Sequence, residues 1–134
     1  MSPSLDFVWK HSEVIPVARD GSDSSGLRTA LRHLHQEGVI GIFPEGGIRE
    51  PREAIHPFFK GIGALIAHTK AKVLLVTVAG TPHNDEMDDA MFERSHSTVR
   101  FVELIQFPES ATHDEITASL RERLSEATGW SLVD

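Results

Sequence analysis

The chain has 134 residues, 40% hydrophobic and 25% charged, the balance of one globular domain and not of a collagen-like or disordered chain. Thirteen Lys and Arg against twenty Asp and Glu give a net charge of -7, which argues against a nucleic-acid partner, since gripping a phosphate backbone needs a basic excess. Cysteine is absent, so disulfides, thiolate nucleophiles, zinc fingers and iron–sulfur clusters are excluded together.

The elements alternate between short β-type runs and helical stretches. Val14 to Ala18 is a β-branched apolar run closed by the turn formers Asp20 and Gly21. A helix is expected from about Asp23 to Glu37, with Leu27, Ala30, Leu31 and Leu34 at spacings of three and four and Gly38 as its stop. Val39 to Phe43 reads as a strand apolar on both faces, as the central strands of a parallel sheet are. A loop rich in Gly and Pro runs from Pro44 to Pro57. Phe58 to about Lys70 is helical by its stripe Ile62, Leu65, Ile66 and Thr69, and Val73 to Ala79 is a second buried strand.

His83 to Ser97 is an acidic, polar loop with room for one short helix, and Thr98 to Phe107 alternates as a strand, Val99 and Phe101 against Arg100 and Glu103. The last helix carries the fullest set of signals: a capping box at Thr112 and Glu115, the stripe Ile116, Leu120, Leu124, and Gly129 as terminator. This order predicts one α/β domain over residues 1–134, a mostly parallel sheet flanked by helices. The longest strongly apolar run, Val73 to Ala79, is far short of the roughly 20 residues that cross a bilayer. MSPSLDFVWKH has no basic region followed by an apolar stretch, so a cytoplasmic location is expected, with contact at a membrane surface left open.

The informative stretch is Ile42-Phe43-Pro44-Glu45-Gly46-Gly47-Ile48-Arg49, at the end of the expected strand. Ligands bind at the carboxyl ends of strands in open α/β sheets. Adjacent glycines let backbone amides approach an anion, while Glu45 and Arg49 set a carboxylate and a guanidinium beside the turn. A plain turn with a salt bridge explains the same residues equally well. Neither nucleotide-loop pattern, Gly-x-x-x-x-Gly-Lys-Ser/Thr or Gly-x-Gly-x-x-Gly, occurs.

The wider pattern resembles the glycerolipid (lysophospholipid, or glycerol-phosphate) acyltransferase family. Ile15-Pro16-Val17-Ala18-Arg19 looks like that family's second sequence block, and Phe43-Pro44-Glu45-Gly46-Gly47-Ile48-Arg49 like its third. Phe59-Lys60-Gly61 is similar to the Phe-Lys-x-Gly element that follows, and Val73 through Gly80-Thr81 to the fourth block. The resemblance spans about Leu5 to Val102. It implies transfer of a fatty acyl group from acyl-CoA or acyl carrier protein, as co-substrate and with no other cofactor, to a hydroxyl of a glycerol phosphate or lysophospholipid in phospholipid biosynthesis. It also implies that Arg19, Glu45, Gly46 and Lys60, with Gly47 and Arg49 beside them, bind the acceptor, and that the protein touches the cytoplasmic face of a membrane peripherally. No metal is implied.

The chain departs from the family in three places. The first block, His-x-x-x-x-Asp, supplies the general base and the aspartate that orients it. Upstream of Ile15 the one histidine is His11, and the position five later is Pro16. A His-x-x-x-x-Asp does occur at His83 and Asp88, downstream in the acidic loop, where a solvated loop is the simpler reading. No catalytic residue is therefore assigned, and a chain incomplete at its N-terminus is expected. The other reading is a non-catalytic module that binds a phosphorylated lipid or a partner acyltransferase. Gly47-Ile48 also stands where many members have Thr-Arg, leaving the block's arginine lost or displaced to Arg49, and Leu75 replaces a usual proline.

The remaining histidines suggest no site. His33 and His35 are two apart on a helix and face different ways, and His56, His68 and His96 lack a partner at ligand spacing. Phe58, Phe59 and Trp9 are expected in the core, as aromatics in a domain of this size mostly are, with contact to lipid or an acyl chain as the lesser reading, and Trp130 is placed to pin the last helix.

Overall fold

A computed structural model describes Ile15 and residues 25–47, 49–59, 61–81 and 94–134. The expected strand at Val14 to Ala18 lies outside these apart from Ile15, as do Arg19, Ile48, Lys60, His11, His83 and Asp88. The chain divides into two compact units, Met1–Gly41 and Ile42–Asp134.

In the first unit α1 spans Ser25–His35, inside the range its periodicity predicts. Its end is made differently from the expected glycine stop. Glu37 holds the left-handed conformation at φ 61°, and Gly38 follows it. The Gly38 amide donates to the His33 carbonyl at 3.0 Å and the Glu37 amide to Leu34 at 3.1 Å, the two bonds of a Schellman ending. A Cβ at Gly38 would lie 2.4 Å from the ring of the exposed His33, which would have to swing aside.

The second unit contains β1 (Ala54–Ile55), α2 (Gly61–Thr69), β2 (Val73–Ala79), β3 (Thr98–Ile105), α3 (His113–Thr128) and β4 (Ser131–Leu132). Its core is Ile55, Phe58, Ile66, Leu75, Ile105, Ile116 and Leu120, one contiguous cluster drawn from every element but β4. α3 is the organiser. Thr112 and Glu115 form the capping box read from the sequence, and Gly129 closes the helix at φ 76° with its amide on the Ser125 carbonyl. Trp130 packs against the core just beyond.

The Thr112 main-chain amide, and after it the Thr112 hydroxyl, hold the Glu115 carboxyl below the ordinary value of 4.5. The capping contribution of the charged form is thus complete above pH 4.5 and is lost as pH falls from there through the lower folded value. Urea unfolding between about pH 6 and about pH 3 should show Glu115→Gln flattening part of the acid-induced loss of stability. An unchanged slope would mean the carboxylate contributes nothing as a charge.

The sheet differs from the mostly parallel one expected. Among the described residues there are two separate pairs: β1 with β4, parallel and two residues long, and β2 with β3, antiparallel. Ala79 lies opposite Thr98 and Val73 opposite Ile105, so the chain simply doubles back, which antiparallel pairing allows and parallel pairing does not. Residues 39–43 form no strand, and Val39 and Phe43 are 89% and 84% exposed. An apolar β-branched run becomes a strand only where a neighbour supplies ladder bonds, and among the described residues none does.

The alternation along β3 is also inverted by a bulge. Leu75 pairs with Glu103 and Val76 with Phe101, leaving Val102 unpaired. Val102 and Ile105 reach the core, Glu103 forms a 2.6 Å ion pair with Arg123 of α3, and Arg100 donates to the Ala127 carbonyl. Val99, Phe101 and Leu104 are left exposed with Leu74 and Val78, partners on the other strand face. Leu75, at the position where the family usually has proline, is a core residue in a paired strand.

Candidate functional site

The Pro-Glu-Gly-Gly segment folds as a tight turn in which the Gly46 amide donates to the Phe43 carbonyl at 3.1 Å. Pro44 at the second position and Gly at the fourth suit such a turn. Gly46 sits at φ 73°, a backbone conformation that favours glycine, and a Cβ on it would lie 2.0 Å from the Phe59 ring, which could then no longer lie over the turn as it does. Gly47 has open space where a Cβ would stand and no positive φ, so of the two glycines only Gly46 is favoured as one by its conformation.

The turn is tied to the segment that leads into α2. The Phe59 amide donates to the Pro44 carbonyl at 2.9 Å, and the partly exposed Phe59 ring covers Gly46. The neighbouring Phe58 turns inward to the core. The aromatic pair thus divides its work: one ring anchors the segment and the other lies on the turn.

Glu45 is half-buried, and its Oε1 accepts a hydrogen bond from the His56 main-chain amide at 3.2 Å. His56 is itself buried, with Nε2 2.9 Å from the Pro51 carbonyl; a carbonyl only accepts, so Nε2 carries the proton. Arg49 is exposed and makes no hydrogen bond or ion pair among the described residues. Nearby Arg52 is taken up by Glu50, Nε to Oε1 at 3.0 Å.

The backbone beneath this site is clamped. Ile55 pairs with Leu132, and its carbonyl accepts from the Val133 amide at 3.1 Å and from Arg121 Nη2 at 3.2 Å. The same Arg121 nitrogen also donates to the Val133 carbonyl, so one guanidinium of α3 joins the ends of β1 and β4. Its buried Nε has no partner among the described residues.

Of the residues read from the sequence, Glu45, Gly46, Gly47 and Arg49 therefore share one loop, while Arg19 and Lys60 lie outside the described residues. Glu45 and Arg49 do not form the simple salt bridge that would explain the segment as a mere turn. Two contributors escaped the sequence reading, His56 and Arg121. His56 bonds to residues five and eleven positions away, and Arg121 reaches 66 residues back, so no local periodicity marks either. Among the described residues no histidine ring is hydrogen-bonded to a carboxylate, the two ring contacts going to the Pro51 and Ala64 carbonyls; no group of three His, Asp or Glu could hold a metal, and no helix is long and apolar enough to cross a membrane.

The glycine turn thus carries a half-buried carboxylate and an exposed guanidinium on one loop. The family model for acyltransferases matches residues 1–80, more than half of the chain, and that span contains the whole turn, His56, α2 and β2. The chain belongs to the acyltransferase family. The match ends at Gly80, one residue past β2, so β3, α3 and β4 lie beyond it. No curated protein and no solved structure matches the chain.

Proposed function

We propose that this acyltransferase moves a fatty acyl group from acyl-CoA or acyl carrier protein to a hydroxyl of a glycerol phosphate or lysophospholipid. The observation that carries the reading is the Glu45 turn. A carboxylate held by a main-chain amide stands on the same loop as an exposed arginine, within the segment that matches the family. A carboxylate only accepts, so it suits the acceptor's hydroxyls, and a guanidinium suits its phosphate through paired hydrogen bonds. Arg19 and Lys60 join the acceptor site in this reading, and Gly46 and Gly47 line it. The general base is not assigned to any described residue. Work on a lipid acceptor fits a peripheral place on the cytoplasmic face of a membrane.

The test is acyl transfer from labelled palmitoyl-CoA, and in parallel from palmitoyl acyl carrier protein, to glycerol 3-phosphate and to lysophosphatidic acid. Arg49→Ala is expected to raise the acceptor KM about tenfold, the size of a lost charge-assisted contact, with the donor KM unchanged. An unchanged acceptor KM removes Arg49 from the site. Binding of the phosphorylated acceptor without transfer from either donor would select the non-catalytic lipid-binding module instead.

A further inference from the structure

We infer that His56 is a positioning residue: its buried imidazole, anchored on the Pro51 carbonyl, holds the His56 main-chain amide against Glu45 and so aims the carboxylate at an acceptor hydroxyl. The inference rests on the reading of Glu45 proposed above and adds what makes that side chain competent.

His56 is the one polar residue among the described residues that is fully buried, at 7% exposure. Burying an imidazole is costly unless its nitrogens are bonded, and a side chain needed only for filling would be apolar. Here Nε2–H reaches back five residues to the Pro51 carbonyl and closes the loop on itself. On the other side, Ile55 is held through β4 and Arg121. The backbone at 55–56 is therefore fixed from two directions, and the amide that it presents goes to Glu45 Oε1.

That bond spans eleven residues and joins the turn of the third block to the loop after it. An ionised carboxylate has about four acceptor positions; the amide occupies one on Oε1, and no described residue donates to Oε2. A carboxylate so held keeps one oxygen directed and the other open, which is what selecting a hydroxyl-bearing ligand requires. Released from the amide, the same side chain would spread over several rotamers and lose most of that selectivity.

The experiment compares His56→Met and His56→Gln. Both replacements are unbranched and reach as far as Nε2, but only glutamine carries a donor for the Pro51 carbonyl. Binding of glycerol 3-phosphate and of methyl phosphate, which has the phosphomonoester without glycerol's hydroxyls, is followed by NMR titration, with thermal unfolding run on each variant. His56→Met is expected to weaken glycerol 3-phosphate about tenfold and leave methyl phosphate within twofold, while His56→Gln stays within twofold of wild type for both. Equal weakening of the two ligands, or wild-type affinity in His56→Met, overturns the inference. If His56→Met does not fold, His56→Gln decides: a tenfold loss of glycerol 3-phosphate overturns the inference and retained discrimination supports it. Glu45→Gln separates the two levels. If it binds glycerol 3-phosphate as wild type does, the acceptor reading of Glu45 itself fails; if it weakens binding while His56→Met does not, only the positioning role fails.

Discussion

Ile116→Ala is expected to remove about 3 kcal/mol from the stability of the 42–134 unit, the middle of the range for emptying a fully buried aliphatic site. Ile116 is 1% exposed, the most deeply buried large side chain among the described residues, and it lies on α3 where that helix meets the rest of the core. Its neighbours are secured elsewhere: Ile55 and Leu75 are paired strand residues, and Ile66 belongs to α2. They cannot close around the vacated volume without breaking those ladders, so the cavity should persist. Against a total stability of roughly 5–15 kcal/mol this is a large fraction. Urea unfolding should show a lower midpoint with an unchanged slope, and Ile116→Val should cost only about 1 kcal/mol. A loss below 1 kcal/mol for the alanine variant would mean that α3 is not seated on this core.

The second large effect concerns Gly63, where two tendencies oppose each other. In a helix interior, alanine is favoured over glycine by about 1 kcal/mol, so on propensity alone Gly63→Ala would stabilise α2. The added Cβ, however, would lie 2.1 Å from the His113 carbonyl oxygen and 2.6 Å from Thr117 Oγ1. The threonine hydroxyl can rotate, but it now donates to that same carbonyl at 2.9 Å, and the carbonyl is main chain of the first turn of α3. Relief requires the two helices to part, which disturbs Leu65 and Ile66 on one side and Ile116 on the other. Strain of this kind costs about 1–3 kcal/mol and, with the core opened as well, exceeds the propensity gain. We expect a net loss of about 2 kcal/mol, read as a fall in the thermal midpoint. A midpoint equal to or above wild type would show that α2 and α3 are free to separate.

These two sites also show how differently the parts of the molecule can be read. α3 was legible in full because its signals are local: the capping box lies within four residues, the apolar stripe within nine, and the terminating glycine directly after. α1 and α2 followed from spacing in the same way, although Glu37, and not Gly38, takes the left-handed position that ends α1. Strand partners were not legible. Val39 to Phe43 and Val73 to Ala79 are both apolar runs rich in β-branched residues, yet among the described residues only the second is paired, because pairing depends on a neighbour distant in sequence. The bulge at Val102 then exchanged the two faces of β3, an effect of one extra residue that period-two reasoning cannot anticipate.

The candidate site divides along the same line. The sequence alone determined the family, the glycine turn and the residue types on it, since the Phe-Pro-Glu-Gly-Gly run is contiguous and its chemistry is carried by neighbouring side chains. Tertiary structure decided which of the two glycines takes the conformation that favours glycine, that Phe59 covers it, and that Glu45 is held by the amide of a buried histidine. It also decided that β1 and β4 are joined by Arg121 from the far end of the chain. Those contacts cross 11, 13 and 66 residues, and their partners are selected by packing of the whole core, which no short window of sequence contains.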